Sequence, residues 1–178
     1  LQALWRAYLA CRKGKRNTRD AQQYESHLLD GLVHARDALA SASWRPSPLL
    51  CFVVRQPKLR EIHAAPFADR VVHHLLVERL ARLYEPIFIH DSYANRKGKG
   101  TLAAVDRLQQ CMRSGAAGQA QPGQWYALQL DIANFFNRIH RPTLFGLLQH
   151  RLVRAVRRQG LAPDEARTLQ TLCRALLQ

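Results

Sequence analysis

A short apolar run, a turn and an alternating run constrain the fold of this chain most strongly. Residues 49–54 read Leu-Leu-Cys-Phe-Val-Val, a length and composition typical of a strand, and Gln56-Pro57-Lys58 follows as a tight turn. Residues 59–64 alternate between apolar and polar side chains and predict a second strand. We therefore expect a β-hairpin with a basic tip.

Helical periodicity surrounds this hairpin. Apolar residues recur at helical spacing, and Gly14, Pro46, Pro66 and Gly160 lie where helices are expected to begin or end. The predicted helices cover residues 1–11, 18–43, 66–85, 101–113, 142–158 and 163–177. A chain of many helices with a hairpin predicts the α+β class.

A second strand-like segment ends in an acid. Residues 125–132 read Trp-Tyr-Ala-Leu-Gln-Leu-Asp-Ile and predict a strand that delivers Asp131 to its end. A carboxylate inside an apolar run is costly to bury unless a cation or a hydrogen-bond donor satisfies it. Mg²⁺ is one such cation, because it takes carboxylate and phosphate oxygens. Capping of the next turn is the alternative that the residues alone leave open.

The charge of the chain predicts a polyanionic partner. Lys and Arg number 27 against 13 Asp and Glu, for a formal net charge of +14. Cations that contact phosphates release condensed counterions, so an excess of this size favours nucleic-acid binding. A basic protein without such a partner is the alternative that charge alone leaves open.

The cysteines and the chain ends add weaker expectations. No pair among Cys11, Cys51, Cys111 and Cys173 has C-x-x-C spacing, so we expect small buried thiols and neither a zinc site nor a redox motif. Without a signal peptide or a membrane-length apolar run, we expect a cytoplasmic protein with no membrane partner. The first residue is Leu and the last residues are helical, as in a piece of a longer protein.

Three blocks, in this order, resemble the reverse transcriptases of bacterial retroelements, meaning group II introns, retrons and diversity-generating retroelements. The blocks are residues 57–62 with 66–74, residues 91–101, and residues 130–136. The second block, Asp-Ser-Tyr-Ala-Asn-Arg-Lys-Gly-Lys-Gly-Thr, looks closest to the diversity-generating and defence-associated lineages. The resemblance implies part of a right-hand polymerase. Its divisions would be a helical N-terminal region (1–49), the fingers (50–124) and the first part of the palm (125–178).

The resemblance also implies roles for single residues around a polymerase centre. Asp131 is similar to the first palm aspartate, which holds two Mg²⁺ ions together with the backbone carbonyl of Ile132. Phe136 matches the aromatic gate that excludes a ribose 2′-hydroxyl. Lys58 and Arg60 match hairpin cations that contact the triphosphate of the incoming dNTP.

The Gly/Lys loop of the second block is a candidate for contact with a template strand. Its cations Arg96, Lys97 and Lys99 suit phosphate binding, although a solvated loop is the alternative for each of them. We also expect a structural ion pair between Asp69 and Arg70.

The family completes its metal site with a Tyr-x-Asp-Asp turn, and no such sequence occurs in this chain. The chain alone is therefore expected to be inactive, while its parent would extend a DNA or RNA primer on an RNA template. An accessory protein or a structured RNA is a further possible partner. Two alternatives stay open: a non-catalytic RNA-binding module of polymerase ancestry, and a template-independent polymerase of a phage-defence system.

Overall fold

The computed structural model describes residues 1–117, 126 and 128–177. The chain forms two compact units: Leu1–Leu83 with Ile139–Gln178, and Tyr84–Arg138. The strands are β1 (Leu50–Val54) and β2 (Arg60–Ala64), which pair antiparallel. The helices are α1 (Gln2–Arg12), α2 (Arg19–Ser26), α3 (Leu28–Ala40), α4 (Phe67–Tyr84), α5 (Thr101–Ala117), α6 (Phe135–Arg138), α7 (Arg141–Gln159) and α8 (Pro163–Leu177). This helix-rich architecture with a small antiparallel sheet confirms the expected mixture of α and β structure.

The helix predicted over 18–43 is wrong in one respect, because it is divided at His27. The Thr18 hydroxyl accepts a hydrogen bond from the backbone N–H of Ala21, so α2 begins as expected. His27 then leaves the helical region, with φ −126° and ψ 36°. The bend brings the Tyr24 ring against the backbone of Gly31, where a Cβ would lie 2.9 Å from the ring. Close packing between α2 and α3 therefore overrides the continuous helical pattern.

Aromatic packing joins three helices of the first unit. Phe67 at the start of α4 is fully buried, and its ring centroid lies 6.4 Å from that of Tyr8 on α1 and 5.3 Å from that of Tyr24 on α2. Such ring pairs contribute about 0.5–1.5 kcal/mol beyond their buried area. In the same unit α7 packs against α8. The buried residues of these two helices are Leu152, Ala155, Leu169, Leu172 and Cys173.

A buried carboxylate holds the segment that leads into the hairpin. Asp69 is 4% exposed and accepts hydrogen bonds from the Ser47 backbone N–H at 2.6 Å and the Ser47 hydroxyl at 3.2 Å. The predicted pair between Asp69 and Arg70 is wrong, since Arg70 instead bonds Asp20 at 2.7 Å. Adjacent positions on a helix point in different directions, so the two side chains reach different partners.

The strand predicted over 125–132 is also wrong where the structure describes it. Tyr126 and residues 128–132 have no strand structure, and Leu128, Leu130 and Ile132 are exposed. Residues 125 and 127 lie outside the described residues. A strand needs a neighbour for its backbone hydrogen bonds. Among the described residues the hairpin strands pair only with each other, so this segment has no neighbour.

The expectation of buried thiols holds for half of the cysteines. Cys11 and Cys173 are buried, whereas Cys51 and Cys111 are exposed. Cys51 lies on a hairpin strand that is exposed along its whole length, so its apolar neighbours in sequence do not cover it. Separately, each helix in the described part of the chain is too short or too polar to cross a membrane.

The hydrogen bonds between Asp69 and Ser47 predict that removing the Asp69 carboxylate destabilises the fold. We expect Asp69→Ala to lower the free energy of unfolding by about 1–3 kcal/mol, because the Ser47 N–H loses its acceptor. Asp30→Ala is the matched control, since Asp30 also lies in the first turn of a helix but is exposed. Its effect should stay below about 1 kcal/mol. Urea unfolding followed by circular dichroism measures the free energy of unfolding of both variants. Equal decreases in the two variants would contradict a stabilising role for the contact between Asp69 and Ser47.

Candidate nucleic-acid interface

The hairpin carries the predicted Lys58 and Arg60 at its exposed tip. Its register pairs Leu50 with Ala64 at the base and Val54 with Arg60 at the other end. Lys58 lies in the connection, and both cations are exposed. Within the described part of the chain neither has an acidic partner. The structure therefore places both predicted residues, exposed, at the same end of the hairpin.

In the second unit, Arg96 is bonded within its own loop. Its guanidinium bonds Glu85 at 2.9 Å, donates to the carbonyls of Ile89 and Ser92 at 3.1 Å each, and lies 5.3 Å from the centroid of the Phe88 ring. The side chain is only 13% exposed. Because these contacts use donors at all three nitrogens, Arg96 holds the shape of the loop that was predicted to bind phosphates.

The two lysines of this loop differ in their surroundings. Lys99 donates to the His90 carbonyl and lies 4.6 Å from the centroid of the Tyr93 ring. Lys97 is exposed, and nothing in the described chain pairs with it. Of the three predicted loop cations, Lys97 is thus the one that makes no internal contact within the described residues.

Asp91, in the same loop, also makes several internal hydrogen bonds, none of them to Arg96 among the described residues. Its Oδ1 bonds His90 Nδ1 at 2.9 Å, Arg107 Nε at 3.0 Å and the Tyr93 hydroxyl at 3.3 Å. Hydrogen bonds from His90 and then Arg107 stabilise the ionised form and lower the pKa of Asp91 to about 2. Arg96 and Asp91 together connect the loop to the 3₁₀ turn Glu85–Ile87 and to α5.

The predicted catalytic segment is exposed. Asp131 and Ile132 lie in irregular backbone, and Phe136 on α6 is 84% exposed. The Phe136 ring packs edge-on to that of Phe135, with centroids 5.2 Å apart. Among the described residues, Asp131 belongs to no group of three side chains that would hold a metal ion. Mg²⁺ binding at Asp131 therefore stays a prediction.

A basic face on α7 was not among the predicted sites. The helix has 19 residues and no acid, and it exposes His150, Arg154, Arg157 and Arg158 at spacings that place them on one side. In the described structure none of these four has an acidic partner. Arg151, in contrast, turns toward α4 and donates to the Leu83 carbonyl at 3.1 Å. The absence of acids between residues 141 and 159 was the sequence signal for this face.

Comparison with known proteins adds no family assignment. No protein-family model matches the sequence, and no curated protein matches it.

The depressed pKa of Asp91 predicts an acid-sensitive loop. The stabilisation from its hydrogen bonds is present above the ordinary carboxyl pKa of 3.8 and is lost as the pH falls through about 2. Arg107→Gln should raise the pKa of Asp91 toward 3.8, because it removes the charged donor. Arg113→Gln, also on α5 and exposed, should leave it unchanged. Carboxyl carbon NMR measures both, and an unshifted pKa in Arg107→Gln would rule out the contact.

Proposed function

We propose that this chain is the fingers and first palm segment of an RNA-directed DNA polymerase. By itself it binds nucleic acid without polymerising. In the complete enzyme, Asp131 and the Ile132 carbonyl would contribute ligands to a site for two Mg²⁺ ions, which would supply charge stabilisation for phosphoryl transfer. Phe136 excludes ribonucleotides, and Lys58 and Arg60 bind the triphosphate of a dNTP.

The hairpin is the observation that carries this proposal. It forms between the first sequence block and its preceding strand, with Lys58 and Arg60 exposed at one end and, among the described residues, without an acidic partner. Arg binds phosphate through a planar fork and Lys as a compact point charge, so the tip suits a triphosphate. The antiparallel pairing of β1 and β2 and the exposure of both cations are the structural observations that support this assignment.

The basic face of α7 supports nucleic-acid binding independently of the family resemblance. Three arginines and a histidine share one side of a helix that has no acid to neutralise them. Like charges at helical spacing destabilise a helix slightly, so such a face is explained most simply by an anionic partner. We assign this face to the phosphate backbone, because it offers no fixed geometry for reading bases.

The chain alone lacks the groups that phosphoryl transfer requires. Asp131 is exposed, and two metal ions need more than one carboxylate. A Tyr-x-Asp-Asp turn is absent from the 178 residues. The proposal therefore assigns synthesis to a longer protein and binding to this chain.

A non-catalytic RNA-binding module is the second candidate. The exposed Asp131 segment favours it, because among the described residues nothing holds that carboxylate in a metal site. The module would bind RNA as the polymerase does, but it would not synthesise DNA.

A template-independent polymerase would synthesise DNA whose sequence does not depend on the RNA.

Binding is tested by its dependence on salt. We expect the chain to bind single-stranded RNA with an affinity that falls steeply as KCl rises. Each phosphate contact that is removed flattens the slope of log K against log salt by about 0.7 for a single strand. The triple variant R154Q/R157Q/R158Q should therefore reduce the slope by up to about 2. Fluorescence anisotropy with labelled RNA measures this slope.

The matched control removes three arginines that already have acidic partners. In R36Q/R82Q/R167Q the lost cations are those paired with Asp37, Glu78 and Asp164. Both triple variants change the net charge equally, so a generic charge effect would give equal slopes. Equal slopes would contradict the α7 interface, and a slope near zero in the unaltered chain would contradict nucleic-acid binding altogether.

A further inference from the structure

One face of the hairpin brings together three side chains that are typical metal ligands. Cys51 on β1 lies directly opposite His63 on β2, and Glu61 precedes His63 by two residues. Side chains alternate along a strand, so Glu61 and His63 lie on the same face as their cross-strand neighbour Cys51. The candidate ligand atoms of the three residues all lie within 4.8 Å of one another.

The distances within this cluster are close to those of a coordination sphere. Cys51 Sγ lies 3.1 Å from Glu61 Oε1, and His63 Nε2 lies 3.5 Å from the same oxygen. Tetrahedral Zn²⁺, with bonds of about 2.3 Å to sulfur and about 2.1 Å to nitrogen or oxygen, separates its ligand atoms by roughly 3.4–3.6 Å. All three side chains are exposed, so small torsional changes at their ends bring the remaining distance into this range.

We propose that Cys51, Glu61 and His63 bind a divalent transition metal ion of the Zn²⁺ class on the exposed face of the hairpin. Thiolate, imidazole and carboxylate are all zinc ligands, and three of them leave one coordination position for water. A set that contains sulfur and nitrogen favours Zn²⁺ over Mg²⁺ or Ca²⁺, which take oxygen ligands. The site is thus distinct in chemistry from the Mg²⁺ site proposed at Asp131.

Metal binding at this cluster displaces a proton. In the metal-free chain the Cys51 thiol donates a hydrogen bond to Glu61 Oε1. The thiol therefore carries a proton that must leave before the sulfur can bind a metal ion. On binding, the S–H bond breaks, the sulfur electron pair forms the bond to the metal ion, and one proton passes to solvent. No oxidant or reductant is involved.

Occupancy of the site would stabilise the hairpin. Cys51 lies on β1 and the other two ligands on β2, so one ion joins both strands. A two-stranded hairpin is at best marginally stable by itself, and β1 here is exposed along its whole length. An ion that binds the folded hairpin and not the unfolded one lowers the population of the open hairpin.

The test uses Co²⁺ as a spectroscopic probe and Zn²⁺ as its competitor, both added to the metal-free chain. We expect one equivalent of Co²⁺ to give a thiolate-to-metal charge-transfer band, which one equivalent of Zn²⁺ abolishes. Cys51→Ser should eliminate the band, and His63→Ala should weaken Zn²⁺ binding by at least about tenfold. Cys111→Ser is the matched control, because Cys111 is also an exposed free cysteine, and it should leave band and affinity unchanged.

Hydrogen exchange provides the second readout. Zn²⁺ should slow exchange of the amides in β1 and β2 of the unaltered chain and have no such effect in Glu61→Gln or His63→Ala. The proposal is overturned if the band survives in Cys51→Ser, if Cys111→Ser removes it, or if Zn²⁺ leaves hairpin exchange unchanged. Circular dichroism confirms that each variant keeps its helices. If Cys51→Ser loses them, the two other exposed ligands decide the question.

Discussion

The contact between the buried Asp69 and Ser47 is the constraint on which the position of the hairpin depends. The segment between α3 and β1 has no regular structure of its own, and two prolines remove backbone donors from it. Asp69 fixes this segment to the first turn of α4, three residues before β1 begins. The base of the hairpin is therefore held, while its tip is exposed and its two cations have no acidic partner in the described part of the chain.

The ion pairs explain where the excess positive charge lies. Several acidic residues form internal ion pairs, including Asp20 with Arg70, Glu85 with Arg96, and Asp91 with Arg107. Among the described residues, the cations without an acidic partner include those on the face of α7, at the hairpin tip and in the loop after α1, and others such as Lys97 and Arg113 lie elsewhere. Each of the first three surfaces brings several cations into one short stretch of the chain. Local concentration of one sign of charge attracts a polyanion more strongly than the same charge spread evenly.

The sequence predicted the helices and strands that depend on a pattern within a single segment of the chain. The spacing of apolar residues indicated α1, α4, α7 and α8, and the alternation in residues 59–64 indicated β2. The strand prediction for residues 125–132 is wrong at the described residues 126 and 128–132, because a strand depends on a neighbour, which periodicity within one segment cannot supply. Likewise, Arg96 has the sequence context of a phosphate ligand, and only the fold shows that Glu85 and two carbonyls occupy its guanidinium.

The candidate sites also differ in how far the sequence alone could predict them. The α7 face was detectable from sequence, since an acid-free helix with cations at positions 150, 154, 157 and 158 is a local pattern. The Cys51, Glu61 and His63 cluster was not, because it depends on the register that pairs Cys51 with His63. A shift of one residue in that register would move Cys51 to the opposite face from both partners.

Primer extension by the longer protein tests the central claim most directly. With a DNA primer, dNTPs and Mg²⁺ on an RNA template of mixed sequence, we predict DNA complementary to that template. Asp131→Ala should abolish synthesis, while Asp106→Ala, the same change at an exposed acid on α5, should retain it. A folded, RNA-binding protein that makes no DNA, makes DNA unrelated to the template, or works equally well without Asp131 would contradict the account.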